Sequence, residues 1–306
     1  MKSRKVLTAT LLLFIILICG YFVFGGEKIA PITEVNASHY TNEVSAYKDE
    51  CPNLLLSWNI QDLGKSKSED VLTEIADIIY DADADVVAIQ EVTAGKDFGA
   101  RAVAKIVDVL SRKGKDFDYL VSDPTTSDSL GVERYAYITK KSKVIISRGD
   151  SGLASDLVGK VSREPLVMTA TFKGASSIKF FNFHAVPTEK NPIEEIKSIV
   201  GSRVIVETVR GIFSGDLNLG HLETDSLFNS VGYNGQIKSR TSLRRTLDKK
   251  NNYMSHQYDN IYVKGVTVCS SGVVDFVKEK HSPVSKESLR VARKVSDHLP
   301  VYIRFK

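Results

Sequence analysis

Apolar positions along this chain fall into three regimes. Residues 6–24 form a run of 19 without a single charge, and as a helix rising 1.5 Å per residue such a run reaches ~28 Å, about a bilayer core. Residues 25–50 mix small, polar and charged types. From Asn53 onward, short apolar runs alternate with helical spacings. Val71, Leu72, Ile75, Ile78 and Ile79 share one helical face behind a Ser66/Glu69 pair at capping-box spacing, and the buried strand Val86-Val87-Ala88-Ile89 follows Asp83-Ala84-Asp85. Val103, Ile106, Val107 and Leu110 predict a second helix stopped near Gly114; Asn191-Pro192 with Ile193, Ile196 and Val200 predicts a third. Strand-like runs cover 54–58, 134–139, 144–147, 166–172, 178–184, 211–214, 258–268 and 299–305. No internal repeat interrupts them. The pattern predicts an α/β (α+β) domain of two packed mixed β-sheets with helices outside.

Composition fits that picture: 42% hydrophobic and 25% charged residues exclude a disordered or collagen-like chain. Net charge is +4 over all 306 residues, but Lys2, Arg4 and Lys5 stand before the apolar run, so charge alone marks no polyanion-binding surface. Those three cations orient residues 1–26 as a signal anchor or signal peptide, with the anchor favoured because no A-x-A-like cleavage site follows Phe24. The expected layout is therefore 1–26 leader, 27–50 linker and 51–306 domain. It places the domain outside the cytoplasm, on a single-pass membrane helix or secreted if the leader is cleaved. Cys51 and Cys269 are the two cysteines of the folded part and could pair there. CxxC metal spacing is absent.

The chemistry gathers at strand ends. Leu54–Trp58 runs into Asn59, Val86–Gln90 into Glu91, and Phe180–Phe183 into His184; Ile212–Gly215 delivers Asp216 and Asn218, and Asp297-His298 precedes Leu299. Polar groups at strand termini converge on one edge of a sheet, where open α/β folds place ligands. Carboxylates and amides suit a hard divalent cation, Mg²⁺ first, with Ca²⁺ or Mn²⁺ as further candidates. Histidines backed by carboxylates exchange protons near neutral pH. Together these are the parts for hydrolysing a phosphate ester.

Ser57-Trp58-Asn59-Ile60-Gln61, Ile89-Gln90-Glu91-Val92, Asn182-Phe183-His184, Ser214-Gly215-Asp216-Leu217-Asn218, Tyr258-Asp259-Asn260 and Ser296-Asp297-His298-Leu299-Pro300-Val301 resemble, in order, the motif set of the endonuclease/exonuclease/phosphatase superfamily. The resemblance spans residues 54–301, and it implies a four-layer α/β/β/α sandwich. Within the superfamily the chain is most similar to deoxyribonuclease I, through Glu133-Arg134-Tyr135, Ser162-Arg163-Glu164-Pro165 and His184-Ala185-Val186-Pro187. That similarity implies a metal-dependent endonuclease that hydrolyses DNA to 5′-phosphate products. Its implied catalytic residues are His184 with Glu133, His298 with Asp259, and Asp216 and Asn218 positioning phosphate or a second ion. Glu91, Asp297 and Asn59 are implied as metal ligands, and Arg163, Asn182 and Asn260 as substrate contacts.

The chain departs from deoxyribonuclease I at three groove-contacting positions, where it has Gln61, Thr93 and Gly131. Two other readings follow from the same residues. One keeps the chemistry on a lipid headgroup, as in sphingomyelinases and phosphoinositide phosphatases; the other is a non-catalytic binding module, which the intact motif set disfavours. No protein partner is implied; DNA is the expected partner, with the membrane through the N-terminal helix. His39, His221, His256 and His281 have no assigned partner, and Trp58 is expected to pack in the core. Arg240, Arg244, Arg245, Lys249 and Lys250 form a basic segment between two motifs, a solvated loop by default and a candidate for backbone phosphates.

Overall fold

The structure, a computed structural model, describes residue 44, residues 47–126 and residues 131–306. Its strands are β1 (Asn53–Leu63), β2 (Val86–Thr93), β3 (Phe117–Val121), β4 (Glu133–Lys140), β5 (Val144–Ile146), β6 (Gly152–Leu153), β7 (Leu166–Phe172), β8 (Ser177–His184), β9 (Gly211–Asp216), β10 (Asn234–Gly235), β11 (Asp259–Lys264), β12 (Val268–Val273) and β13 (Val301–Phe305). Its helices are α1 (Glu69–Asp81), α2 (Gly99–Arg112), α3 (Pro192–Val200), α4 (Arg203–Val206), α5 (His221–Asn229), α6 (Phe276–Lys280) and α7 (Lys286–Val295). One sheet has the order β12-β13-β1-β2-β4-β3, and the other β10-β11-β9-β8-β7-β5 with β6 also on β7. Each is mixed: β1 with β2 and β8 with β9 are parallel, the remaining pairs antiparallel.

Side-chain alternation builds the layers. On β1 and β2, Leu54, Leu56, Trp58, Val87 and Ile89 pack outward against Ile75 and Ile79 of α1, Ile106 of α2 and Leu289 of α7. The intervening Leu55, Val86 and Ala88 face the second sheet, meeting Phe180, Ile212 and Ile261. Phe181, Phe183, Phe213 and Tyr262 point the other way, onto Ile196 and Ile199 of α3 and Phe228 of α5. The result is the expected four-layer sandwich, with both central parallel pairs buried on two faces. Each fully buried Phe or Leu contributes ~1.5–3 kcal/mol.

Several boundaries differ from the sequence reading. Helix α1 is capped by Ser68, whose hydroxyl accepts from Val71 N, while Ser66 bonds back to Asp62 O. The expected strand 258–268 is two strands, broken at Gly265 (φ 65°), where a side chain would collide with Val209 O. Residues before 51 also pack against the domain. Val44 is buried, its carbonyl takes a bond from the buried Arg304 at 2.8 Å, and Lys48 pairs with Asp83. Cys51 and Cys269 are joined as a disulfide, clamping the start of β1 to β12. Among the described residues no helix is long and apolar enough to cross a membrane, and the expected leader, residues 1–26, lies outside them.

At the end of the sandwich remote from the histidines, Asp83 binds Lys48, Lys115 and Lys140, and the buried Asp85 binds Lys140 and Lys143. Partial burial works against the Asp83 charge, but Lys115, Lys48 and Lys140 overcome it and hold its carboxyl well below the usual carboxylate range. A carboxylate whose folded pKa is depressed stabilises above its unfolded pKa, and loses that contribution as pH falls through the folded value. Asp83→Asn is therefore expected to lower stability at neutral pH by ~1–2 kcal/mol, a figure discounted for solvent screening. Urea denaturation at several pH values checks it: the gap to wild type should close as pH falls below ~4. A gap independent of pH would show that the charge is not what stabilises this turn.

Candidate active site

The inner faces of the strands run from apolar to polar toward one end. Leu55-Ser57-Asn59 on β1, Phe180-Asn182-His184 on β8, Ile212-Ser214-Asp216 on β9 and Val263-Ile261-Asp259 on β11 share that parity, so every chemical group lies in line with a core residue. Register completes the row: His184 is paired with Asp216 on β9, and Asp216 with Asp259 on β11. Strand β9 can approach β8 this closely because Gly215, at φ 150°, has no Cβ; one would fall 1.8 Å from Phe183 O. Glu91 breaks the alternation. The pairing of β2 with β4 shifts between Ile89 and Val92, and Glu91 takes φ 58°, which turns its side chain into the same cleft.

Two imidazoles face one carboxylate. His184 Nδ1 bonds Glu133 Oε2 at 3.0 Å, and its Nε2 lies 3.8 Å from both Glu91 Oε1 and Asp216 Oδ2. His298 Nδ1 bonds Asp259 Oδ2 at 2.7 Å, and its Nε2 lies 3.6 Å from the same Asp216 oxygen. Each ring is thus held at Nδ1 with Nε2 turned to the cleft. Burial alone would disfavour the charged rings. Glu133 and Asp216 overcome it at His184, raising its pKa, and Asp259, Asp216 and Asp297 raise His298 well above the ordinary imidazole value. Burial opposes the Glu133 and Asp216 charges as well, but His184 and Arg163 pull the Glu133 carboxyl down, and His298 and His184 that of Asp216. Asp259 is pushed up by burial, which outweighs the attraction of His298.

Neighbouring groups fix these side chains. Asp216 Oδ1 accepts from Asn218 N at 2.9 Å, and Asn218 Nδ2 donates to Ala185 O, tying the β9 exit to the β8 exit. Trp58 packs in the core as expected, on Phe276, and its Nε1 donates to His298 O at 2.8 Å. Asn59 Nδ2 donates to Glu91 Oε1 at 2.8 Å and to Asp216 Oδ2 at 3.0 Å. Glu91 Oε2 accepts from Asp62 N. Asp297 lies beside them on the rim, with Arg293 3.4 Å from its carboxylate.

A divalent cation fits this donor set. Asn59 Oδ1 is buried and meets no hydrogen-bond partner among the described residues, and three carboxylates, Glu91, Asp216 and Asp259, crowd the cleft. Turning the amide over would aim Oδ1 at Glu91 and Asp216, an oxygen-only arrangement that hard cations favour and that repels itself without one. The Asp216, Asp259 and His298 ligand atoms also lie within 4.8 Å of one another, although His298 Nδ1 and Asp259 are already bonded together.

The three residues expected as substrate contacts are each engaged by partners within the protein. Asn182 is fully buried, accepts from Gln90 Nε2 at 2.6 Å and donates to Ile89 O and Ala136 O; it ties the two sheets together. Asn260 Oδ1 accepts from Ile237 N and Ile261 N, and its amide reaches Tyr262 OH. Arg163 is 3% exposed, bound to Glu133 and to Ala185 O, so it orients the carboxylate behind His184. Sequence reasoning missed Tyr135, whose buried hydroxyl accepts from His184 N, and Lys67, whose ammonium reaches Lys294 O and Val295 O within the field of Glu91 and Asp297. Tyr135 shares the inner parity of Glu133, the signal that could have found it. Of the remaining histidines, His221 bonds Gln257, His281 bonds Glu74 and His256 stacks on Tyr258; His39 lies outside the described residues.

No protein-family model matches the chain, and no curated protein matches it by sequence. Solved structures do match. An endonuclease/exonuclease/phosphatase family protein from Leptotrichia buccalis C-1013-b superposes with TM-score 0.57 at 16% identity, covering 83% of this chain and 99% of that one. D. rerio TDP2 complexed with single-strand DNA product gives 0.53 at 20% identity, over 83% and 98%. The mannosyl-6-phosphatase of Bacteroides thetaiotaomicron VPI-5482 gives 0.55 at 16%, over 83% and 99%. With the superpositions running over almost the full length of each neighbour, this chain has the fold of the endonuclease/exonuclease/phosphatase superfamily.

Proposed function

We propose that the protein is a divalent-metal-dependent phosphoesterase acting on nucleic acid, a DNA phosphodiesterase that leaves 5′-phosphate ends. The observation that carries this reading is the convergence of His184 and His298 Nε2 on one Asp216 oxygen, each ring backed at Nδ1 by its own carboxylate. Glu91, Asn59 and Asp216 would hold the cation, with Asp297 beside them; when bound, it supplies positive charge against the phosphoryl oxygens. Mg²⁺ is the proposed ion, because the donors are hard oxygens.

The chain's own groups do the proton work. One Nε2 takes the proton of a water whose oxygen bonds to phosphorus, and the other gives a proton to the oxygen whose bond to phosphorus breaks. Glu133 and Asp259 keep the rings oriented and stabilise them when charged, as the carboxylate of a hydrolase triad does. Asn218 N fixes Asp216 between them. The fold neighbour crystallised with a single-strand DNA product supports a nucleic-acid substrate, and the neighbour named as a mannosyl-6-phosphatase supports phosphate-ester chemistry more broadly.

The test is a side-by-side assay of the full chain on supercoiled plasmid, single-stranded DNA, a sugar phosphate and sphingomyelin, with Mg²⁺ and with chelator. The expected result is metal-dependent strand cleavage with 5′-phosphate ends. Release of headgroup or sugar-bound phosphate with DNA intact would move the chemistry to the other substrate class. Inactivity on all of them would favour a binding module.

A further inference from the structure

Residues 241–256 fold back on themselves as an irregular hairpin beside the cleft. Leu243 bridges Met254, Arg244 N donates to Tyr253 O, and Asp248 accepts from Lys250 N and Asn252 N to close the tip. The base of the hairpin is built into the site: Ser242 bridges His298, Leu243 N donates to Asp297 O, and Thr241 Oγ1 accepts from Asp259 N. Leu243, Leu247, Tyr253 and Met254 are turned onto the core of the first sheet. What remains outside is basic. Arg240, Arg245, Lys249 and Lys250 are exposed and enter no ion pair among the described residues, and Arg244 lies 4.0 Å from Asp248, the lone acid of the segment. Elsewhere on the surface some cations, such as Lys113, Lys141, Arg148 and Lys238, are neutralised by nearby carboxylates; others, such as Lys160, Lys173 and Lys286, are exposed without one among the described residues, and the hairpin is set apart by carrying four such cations between Arg240 and Lys250.

We infer that this hairpin is a phosphate-tracking arm, whose unneutralised cations hold the backbone of a polynucleotide strand as it leaves the cleft at His298. The inference rests on the reading of the cleft as a phosphodiesterase and names how its substrate is held. From Ser242 to the tip at Asp248 an extended chain reaches at most ~20 Å, room for several successive phosphates of one strand. A strand is favoured over an anionic membrane because the exposed part offers no apolar residue to insert, and interfacial binding needs one. Contact through phosphates carries no sequence information, so the arm binds without base preference.

The triple variant Arg245→Gln/Lys249→Gln/Lys250→Gln changes only exposed side chains. Anisotropy of a labelled single-stranded oligodeoxynucleotide, with full-length protein in chelator, should show weaker binding. The slope of log K against log[salt] between about 50 and 200 mM should fall by ~2, at ~0.7 per lost phosphate contact on a single strand. In the presence of Mg²⁺, the ratio of kcat/KM on the polymer to that on bis(4-nitrophenyl) phosphate should fall at least about tenfold. An unchanged slope and ratio would overturn the inference. So would loss of binding to phosphatidylserine vesicles with oligonucleotide binding intact, which would assign the arm to a membrane. If the wild type cleaves neither substrate, the proposed chemistry fails, while the chelator experiment still decides the arm.

Discussion

Replacing His298 by alanine should lower kcat/KM on a phosphodiester by ~10²–10⁴-fold, the usual value of a positioned general acid or base, and His184→Ala should do the same. The two rings approach Asp216 Oδ2 from opposite partners, His184 from Glu133 and His298 from Asp259. Each therefore handles its own proton. A ring and its backing carboxylate act as a unit, so His298→Ala/Asp259→Asn should lose hardly more than His298→Ala alone. The single variant carries a structural cost that must be kept apart from the chemistry. It leaves Asp259 buried without its imidazole, and removing one member of a buried pair destabilises by ~3–5 kcal/mol. Asp259→Asn in the double variant removes that orphaned charge, so the double variant should melt higher than His298→Ala while being no more active. Assays run well below both melting temperatures separate the two effects. Full turnover in either single variant would remove that histidine from the reaction.

What the sequence made legible follows from what each residue was asked to do. Strands β8 and β9 are visible because alternation of Phe180 with Phe181 and of Ile212 with Phe213 is forced by two cores on opposite faces. The polar residues that continue the inner parity, His184, Asp216 and Asp259, stand out because burial of such groups needs a reason. The same logic failed for Asn182 and Asn260. They lie in motifs beside true cleft residues, yet their amides are spent on carbonyls, amide N–H groups and a tyrosine hydroxyl inside the sandwich, a use that only three-dimensional neighbours reveal. Arg163 looked like a phosphate ligand from its local context, but Glu133, 30 residues away, already claims it. Helices α5 and α7 were missed because their apolar content is thin: α5 exposes Leu222, and α7 buries only Leu289, Ala292 and Val295. Val44 and Arg304 escaped for a different reason. A buried arginine in a strand is legible only through the carbonyls of Val44 and Cys51 that receive it.

Glu91→Gln should be the variant most damaging to metal use. Glu91 Oε1 accepts from Asn59 Nδ2 and Oε2 from Asp62 N, so the carboxylate is held by two donors while its charge faces the cleft. Glutamine keeps the volume but removes that charge, and its amide nitrogen must displace one of those two donors. In the wild type, Mg²⁺ at about 100 times its dissociation constant should stabilise the fold by ~2.7 kcal/mol, which for a domain of this size raises Tm by ~5–10 °C. Chelator should abolish both that shift and the activity. In Glu91→Gln the shift should vanish at the same Mg²⁺ concentration, and kcat/KM should drop by at least ~10²-fold, with partial recovery at much higher Mg²⁺ if weakened binding is the cause. Asp83→Asn, at the far end of the sandwich, should retain the Mg²⁺ shift despite its lower starting Tm. A Glu91→Gln protein that still melts higher with Mg²⁺ by the wild-type amount would place the cation elsewhere in the cleft, with Asp297 the next carboxylate to test.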